Sequence, residues 1–241
     1  MNKGKGFVPN QHGAWAMLVI PFLFGMFASG PVWIHALLFC CWLLAYLFSY
    51  PFLQWVRTKK RIYVKPALVY AALLIPAAIA LIFLNPGLAR WGLLLILPLI
   101  VNVYYARRNR ERSLMNDLAA VILFSLMVFI AYDAGGGNDW TLAGELFAFS
   151  VLYFTGTVFY VKTIIRERNN VRFYRISIAY HLALLVIAAL MFPPALLLPL
   201  AVLLVRAIWS PKMKLNVKKT GVLEIAYSVM IAVTALAVYA A

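Results

Sequence analysis

Four short stretches gather side chains able to hold an anion or move a proton. The first is Pro9-Asn10-Gln11-His12-Gly13-Ala14-Trp15-Ala16-Met17. Gln11 and His12 offer hydrogen bonds, and an imidazole can carry a proton near neutral pH. Gly13 lets a ligand or a second helix come close. Helix capping and an interfacial Trp15 are the plainer uses of the same residues. The second stretch runs from Gln54 to Lys65, where Arg57, Lys59, Lys60, Arg61 and Lys65 place five cations in nine residues. Arginine suits bidentate contact to phosphate, while attraction to anionic lipid, ~1 kcal/mol per basic residue, also accounts for such a run. The third joins Tyr104, Tyr105, Arg107, Arg108, Arg110, Glu111 and Arg112 to Asn116 and Asp117. Asp117, one turn inside an apolar helix, is costly unless it snorkels or pairs, and Arg110 and Arg112 are candidate partners. The fourth holds Lys162, Arg166, Glu167, Arg168, Asn169, Asn170, Arg172 and Arg175.

The isolated polar residues read more plainly. His181 suits an interhelical hydrogen bond. His35 falls at the opposite end of its helix from the basic loops, so His12, His35 and His181 cannot gather on one metal. Glu145 and Glu224 lie near helix ends and can snorkel. No ionisable residue falls at the middle of a span, which argues against a proton pump. Pro21, Pro76, Pro98 and Pro199 are places where a helix could break and offer backbone to a substrate. Cys40 and Cys41 are neighbours on one helix and point to different faces, so they read as packing residues without a disulfide.

The elements that must position these groups follow from composition. Of 241 residues, 65% are hydrophobic and 12% charged, against about 45–50% and 25% in a soluble domain. A soluble enzyme, a disordered chain and a disulfide-rich secreted scaffold are excluded. Apolar runs predict nine transmembrane helices over 13–29, 32–54, 66–84, 88–106, 114–132, 141–164, 175–192, 194–209 and 221–240, forming one domain over 1–241. Turns at Ser29-Gly30-Pro31, Asn85-Pro86-Gly87 and Pro193-Pro194 separate them, and 133–139 reads as a flexible polar loop. The chain has 22 Lys+Arg against 7 Asp+Glu, and with nine spans 21 of the 22 fall on one side, Arg90 alone on the other. The positive-inside rule then puts the N-terminus in the cytoplasm and the C-terminus outside. In a membrane chain this excess sets topology and does not point to nucleic acid. A faint echo between Leu47-Phe48-Ser49 and Tyr153-Phe154-Thr155 suggests related halves.

The stretch from Pro9 to Met17, with its His-Gly-Ala-Trp, resembles the YwiC-like family of small bacterial membrane proteins, which implies a multi-pass protein of the bacterial cytoplasmic membrane. More distantly, the layout resembles the UbiA superfamily of intramembrane prenyltransferases, whose nine-helix bundle opens to the cytoplasm. The run Arg57-Thr58-Lys59-Lys60-Arg61 looks like the basic segment after that superfamily's first Asp-rich motif. Tyr104 to Arg108 looks like its tyrosine-and-basic segment, and Arg166 to Ser177 is similar in frame to its second Asp motif. The carboxylates are missing: no aspartate precedes Arg57, and the second loop keeps only Glu167. Two Mg²⁺ ions need several convergent carboxylates, so no metal or other cofactor is expected. What the resemblance implies is an all-α UbiA-like bundle whose cationic mouth takes a phosphate- or diphosphate-headed lipid, such as an isoprenoid phosphate, without Mg²⁺. Gln11, His12, Arg57, Lys59, Arg61, Tyr104, Arg107, Arg108, Lys162, Arg166, Arg168, Asn169 and Asn170 are the candidates for the head. Trp15, Phe48, Tyr50, Phe154 and Tyr160 are those for the tail. A small-anion permease and a non-catalytic membrane subunit are the alternative readings.

Overall fold

The computed structural model describes Phe7 and residues 12–213 and 217–239; of His12, Val217 and Lys218 it describes the backbone alone. The described residues are almost entirely helical: α1 His12–Ser29, α2 Ile34–Thr58, α3 Val64–Leu84, α4 Ala89–Arg107, α5 Leu114–Ser125, α6 Met127–Ala134, α7 Trp140–Ile165, α8 Val171–Met191, α9 Leu197–Trp209 and α10 Val217–Tyr239. α5 and α6 form one span with a break at Leu126. Eight spans, counting short 3₁₀ turns at their ends, are 20 to 26 residues long and apolar enough to cross a membrane. α1 has 18 residues, about 27 Å of helix at 1.5 Å per residue. The chain is a polytopic helical bundle of the membrane, and the described residues form nine helical units, one for each predicted span, eight of them long enough to cross.

Local chemistry sets the helix ends. Ser113 accepts from the Asn116 N–H at the start of α5, Asp139 from Thr141 and Leu142 at the start of α7, and Asn170 from Phe173 at the start of α8. Each satisfies donors that the first turn leaves free. α2 stops where Lys59 turns left-handed (φ 57°) and its N–H reaches back to the Trp55 carbonyl.

Two expectations change. The helices run unbroken through Pro21, Pro76 and Pro98, and Pro199 sits in the first turn of α9, where its missing N–H costs nothing. The one interrupted span contains no proline. It breaks one residue before Met127, next to a close helix approach: a Cβ on Gly25 of α1 would strike the Val128 carbonyl of α6. Nor is 133–139 a free loop. Asp133 lies within α6 and accepts from Arg90 Nη2 at 2.5 Å and Trp91 Nε1 at 2.7 Å, and the Asp139 N–H donates to the Tyr132 hydroxyl. Stacked Trp91 and Phe129, with Trp140 beside them, complete this latch at the end opposite the basic loops.

Among the described residues the core has two main lobes that share α1 and a small third cluster of Tyr160, Ile164 and Ala207. One joins Ile20 and Phe24 to Phe149, Phe154, Leu200 and Ile231; the other joins Leu18 and Phe22 to Trp42, Met127 and Ile130. His35 is buried in the second lobe, its Nδ1 accepting from the Val32 N–H and its Nε2 donating to the Ala131 carbonyl at 2.8 Å. α3 and α4 lie at the periphery and expose Leu73, Ile79, Phe83, Leu93, Leu97 and Ile100. So broad an apolar surface belongs against lipid. Cys40 is exposed and Cys41 buried, both free.

Candidate functional site

Three of the basic loops meet at one end of the bundle, and ion pairs tie them together. Arg57, in the last turn of α2, pairs through Nη1 with Glu111 of the α4–α5 loop at 2.9 Å, and its Nη2 donates to Gln54 Oε1. Buried Asn116 fixes that loop from below by donating to the Glu111 carbonyl. Lys162, near the end of α7, pairs with Asp117 at 2.8 Å and donates to the Arg112 carbonyl at 2.6 Å. The partner of Asp117 is thus Lys162, and not Arg110 or Arg112. Arg57 and Lys162 are framework groups here: their charges are answered by carboxylates of the same rim.

The remaining cations of this rim are exposed. Lys59 lies over the Trp55 ring, Arg61 opens a single 3₁₀ turn, and Arg107 and Arg108 end α4. Arg166, Arg168 and Asn169 line a shallow open dish of about 490 Å³ at the α7–α8 turn. Asn170 in that turn is engaged, donating to Glu167 and capping α8. Gln11 and the side chain of His12 lie outside the described residues. Among the described residues no three His, Cys, Asp or Glu side chains gather where they could hold a metal.

The aromatic candidates do not form one surface. Trp15 packs edge-on to Tyr46, Phe48 stacks on Phe52, and Tyr50 is half-buried. Phe154 and Tyr160 are fully buried in the bundle. The apolar groove lies elsewhere, between α4 and α5, where Ile100, Tyr104, Tyr105, Met115, Leu118 and Ile122 line about 620 Å³. At its basic end the Arg108 guanidinium lies 4.7 Å over the Tyr104 ring. Tyr105 stands edge-on to Tyr104. The groove therefore has an apolar body, an aromatic collar and a free cation at its mouth.

A second polar cluster was not legible as such in the sequence. Arg206 of α9 and Glu224 of α10 pair at 2.7 Å with side chains 0% and 3% exposed. Glu224 does not snorkel. The guanidinium lies 4.0 Å from the centre of the Tyr160 ring and 5.1 Å from that of Tyr227. Tyr153 and Ser228 share a buried hydrogen bond of 2.9 Å. His181 is buried on α8, its Nδ1 2.7 Å from the Ser177 carbonyl. One signal pointed this way: Arg206 follows an unbroken apolar run; Glu224, in the first turn of the predicted helix 221–240, sits two turns into α10.

A family model described as YwiC-like protein matches residues 8–132. An uncharacterised protein of Haemophilus influenzae is 33% identical over 232 residues, covering 92% of this chain and 94% of that one. The uncharacterised protein YwiC of Bacillus subtilis is 38% identical over 222 residues, covering 92% and 93%. No solved structure matches.

Proposed function

The chain belongs to the YwiC-like family of multi-pass bacterial membrane proteins, and we propose that it binds a lipid with a phosphate or diphosphate head, its tail in the α4–α5 groove and its head on the basic rim. The observation that carries this reading is the groove itself. Its apolar walls suit a hydrocarbon chain, and Tyr104, Tyr105 and Arg108 stand at the end where the rim begins. Arg107, next to Arg108, is exposed. Two adjacent arginines, Arg108 held over the Tyr104 ring, supply the charge-assisted bonds that a phosphate group needs. The rim is taken as cytoplasmic, in keeping with the positive-inside rule.

Divalent metal is not part of the proposal. The rim carboxylates Glu111 and Asp117 are each engaged by a cation. Arg57 and Lys162 hold the loops in register, while Lys59, Arg61, Arg107 and Arg108 face outward. The distant resemblance to the prenyltransferases rests on sequence layout, and the reading requires no transfer reaction.

The test is thermal stability in detergent with a polyprenyl phosphate in EDTA. A ligand at 100 times its dissociation constant adds about 2.7 kcal/mol. The stabilisation should survive EDTA and fall away in an Arg107→Ala, Arg108→Ala double variant. A shift seen only with Mg²⁺, or an undiminished one in the double variant, would sink the idea.

A further inference from the structure

The cluster between α7, α8, α9 and α10 has no part in the lipid reading. Its centre is Arg206. Nη1 donates to Glu224 Oε1 at 2.7 Å, and the ring faces of Tyr160 and Tyr227 flank the guanidinium. The other edge of the fork, Nε and Nη2, has no hydrogen-bond partner among the described residues, and neither has Glu224 Oε2. A buried cation with two idle donors beside a buried carboxylate with an idle oxygen is a costly arrangement. Two coplanar N–H groups on one edge are the geometry that takes two oxygens of an oxyanion.

The polar groups extend inward from there. Tyr160 is two residues from Lys162 of the rim. Tyr153 and Ser228 lie deeper, and His181 Nε2, the ring nitrogen turned away from Ser177, is likewise without a partner among the described residues. Gly156 lets α8 pack close here: a Cβ on it would stand 3.3 Å from Tyr180 Cε1 and 3.4 Å from His181 Nε2. Farther on, the interior is largely apolar, with Phe149, Ile231 and Ala235 fully buried, and Ser150 is the buried polar residue of α7 on the way to Glu145. The next polar tie between α7 and α10 is Tyr239 to Glu145, eight residues along α7 from Tyr153, about 12 Å. A conduit needs polar groups throughout. A polar track that ends at mid-bundle suits a bound group instead.

We propose that this cluster is a second site, for a protonated phosphate or phosphate monoester. Two phosphate oxygens accept from the Nε–Nη2 edge of Arg206, and the P–OH donates to Glu224 Oε2. The idle oxygen of Glu224 decides the class. Sulfate at the same pH has no proton to give it, so the site separates two anions of like size and shape. Free phosphate and the phosphomonoester head of a lipid share this chemistry.

Purified protein in detergent is titrated with inorganic phosphate and, at equal ionic strength, with sulfate, reading thermal stability. Nanodiscs of phosphatidylcholine with and without phosphatidic acid give the lipid arm. Phosphate should bind at least about tenfold more tightly than sulfate. Arg206→Lys keeps the charge, removes the fork, and should abolish the response. The Arg107→Ala, Arg108→Ala double variant should leave it intact, which separates this site from the lipid groove. Should Arg206→Lys not fold, Glu224→Gln carries the test, because its amide keeps one oxygen acceptor but repels a P–OH from its NH₂ side, and the preference over sulfate should vanish. A response to phosphatidic acid alone, kept in the Arg107→Ala, Arg108→Ala double variant and lost in Arg206→Lys, would assign the site to a lipid head. Equal responses to phosphate and sulfate, a response unchanged in Arg206→Lys, or none in either arm would overturn the proposal.

Discussion

Lys162–Asp117 and Arg206–Glu224 are ion pairs of nearly equal length, 2.8 and 2.7 Å, each joining two helices. They differ in what surrounds them. The first sits on the basic rim, with Asp117 33% exposed, and a backbone carbonyl takes a further proton of Lys162. The second is almost completely shut off from solvent, and three of its five polar atoms, Arg206 Nε and Nη2 and Glu224 Oε2, have no partner among the described residues. At the rim the helix-end carbonyls and water complete the shell of each charge. Inside the bundle only side chains are at hand, and Tyr160 and Tyr227 offer ring faces to a group that also wants oxygen atoms. A bundle selected for stability alone would carry apolar side chains at 206 and 224, since well-packed replacements of a buried pair are often as stable or more so. Retaining the pair with idle donors is what sets this region apart as a site, while the rim pairs read as fasteners.

The largest effect that tests this contrast comes from breaking the buried pair on one side. Arg206→Ala leaves the buried Glu224 carboxylate without its cation and should cost about 3–5 kcal/mol, read as loss of folded protein in a detergent unfolding titration. The double change Arg206→Leu, Glu224→Leu should recover most of that loss and still fail to respond to phosphate. If the double variant were as unstable as the single one, the pair would be part of the scaffold and the contrast would fall. Next in size is Lys162→Met. It removes the partner of Asp117 and the donor to the Arg112 carbonyl and should cost about 2 kcal/mol. Here the response to phosphate should remain, because the rim fastens the loops and does not touch the inner cluster.

The outline of this bundle was readable residue by residue. Spans came from runs of apolar residues, which the hydrocarbon core demands in every membrane helix. Some ends came from the turns at Ser29-Gly30-Pro31, Asn85-Pro86-Gly87 and Pro193-Pro194, whereas the caps at Ser113, Asp139 and Asn170 emerged only from the structure. The basic loops were found because charge cannot easily enter the bilayer. What stayed hidden were facts about pairs. Asp117 needed a cation, but whether Arg110, Arg112 or Lys162 supplied it depends on how α7 lies against α5. Glu224 looked free to snorkel because depth along one helix says nothing about which neighbour it faces. Phe154 and Tyr160 read as candidates for a lipid tail because an aromatic inside a bundle and one facing lipid share the same hydropathy. The break at Leu126 had no proline to announce it, and the Gly25 approach that accompanies it involves a residue about a hundred positions away. Hydropathy places a residue at a depth. Which side of the helix it faces, and what it meets there, is decided by packing.

The smallest effect belongs to Arg57, and its smallness is informative. Its side chain is 32% exposed and that of Glu111 28%, so water screens the pair and its loss should cost under about 1 kcal/mol. Arg57→Gln should therefore leave the unfolding midpoint almost unmoved. If Arg57 also gripped a lipid phosphate, the same change would weaken the polyprenyl phosphate response as much as loss of Arg108 does. Since Glu111 and Gln54 already hold its guanidinium, the expected outcome is a response close to wild type, or a slightly stronger one if freeing Glu111 loosens the α4–α5 loop that carries Arg108. A steep loss of ligand response with unchanged stability would move Arg57 from the fasteners to the site and bring the rim back to the role that the arginine run in the sequence suggested.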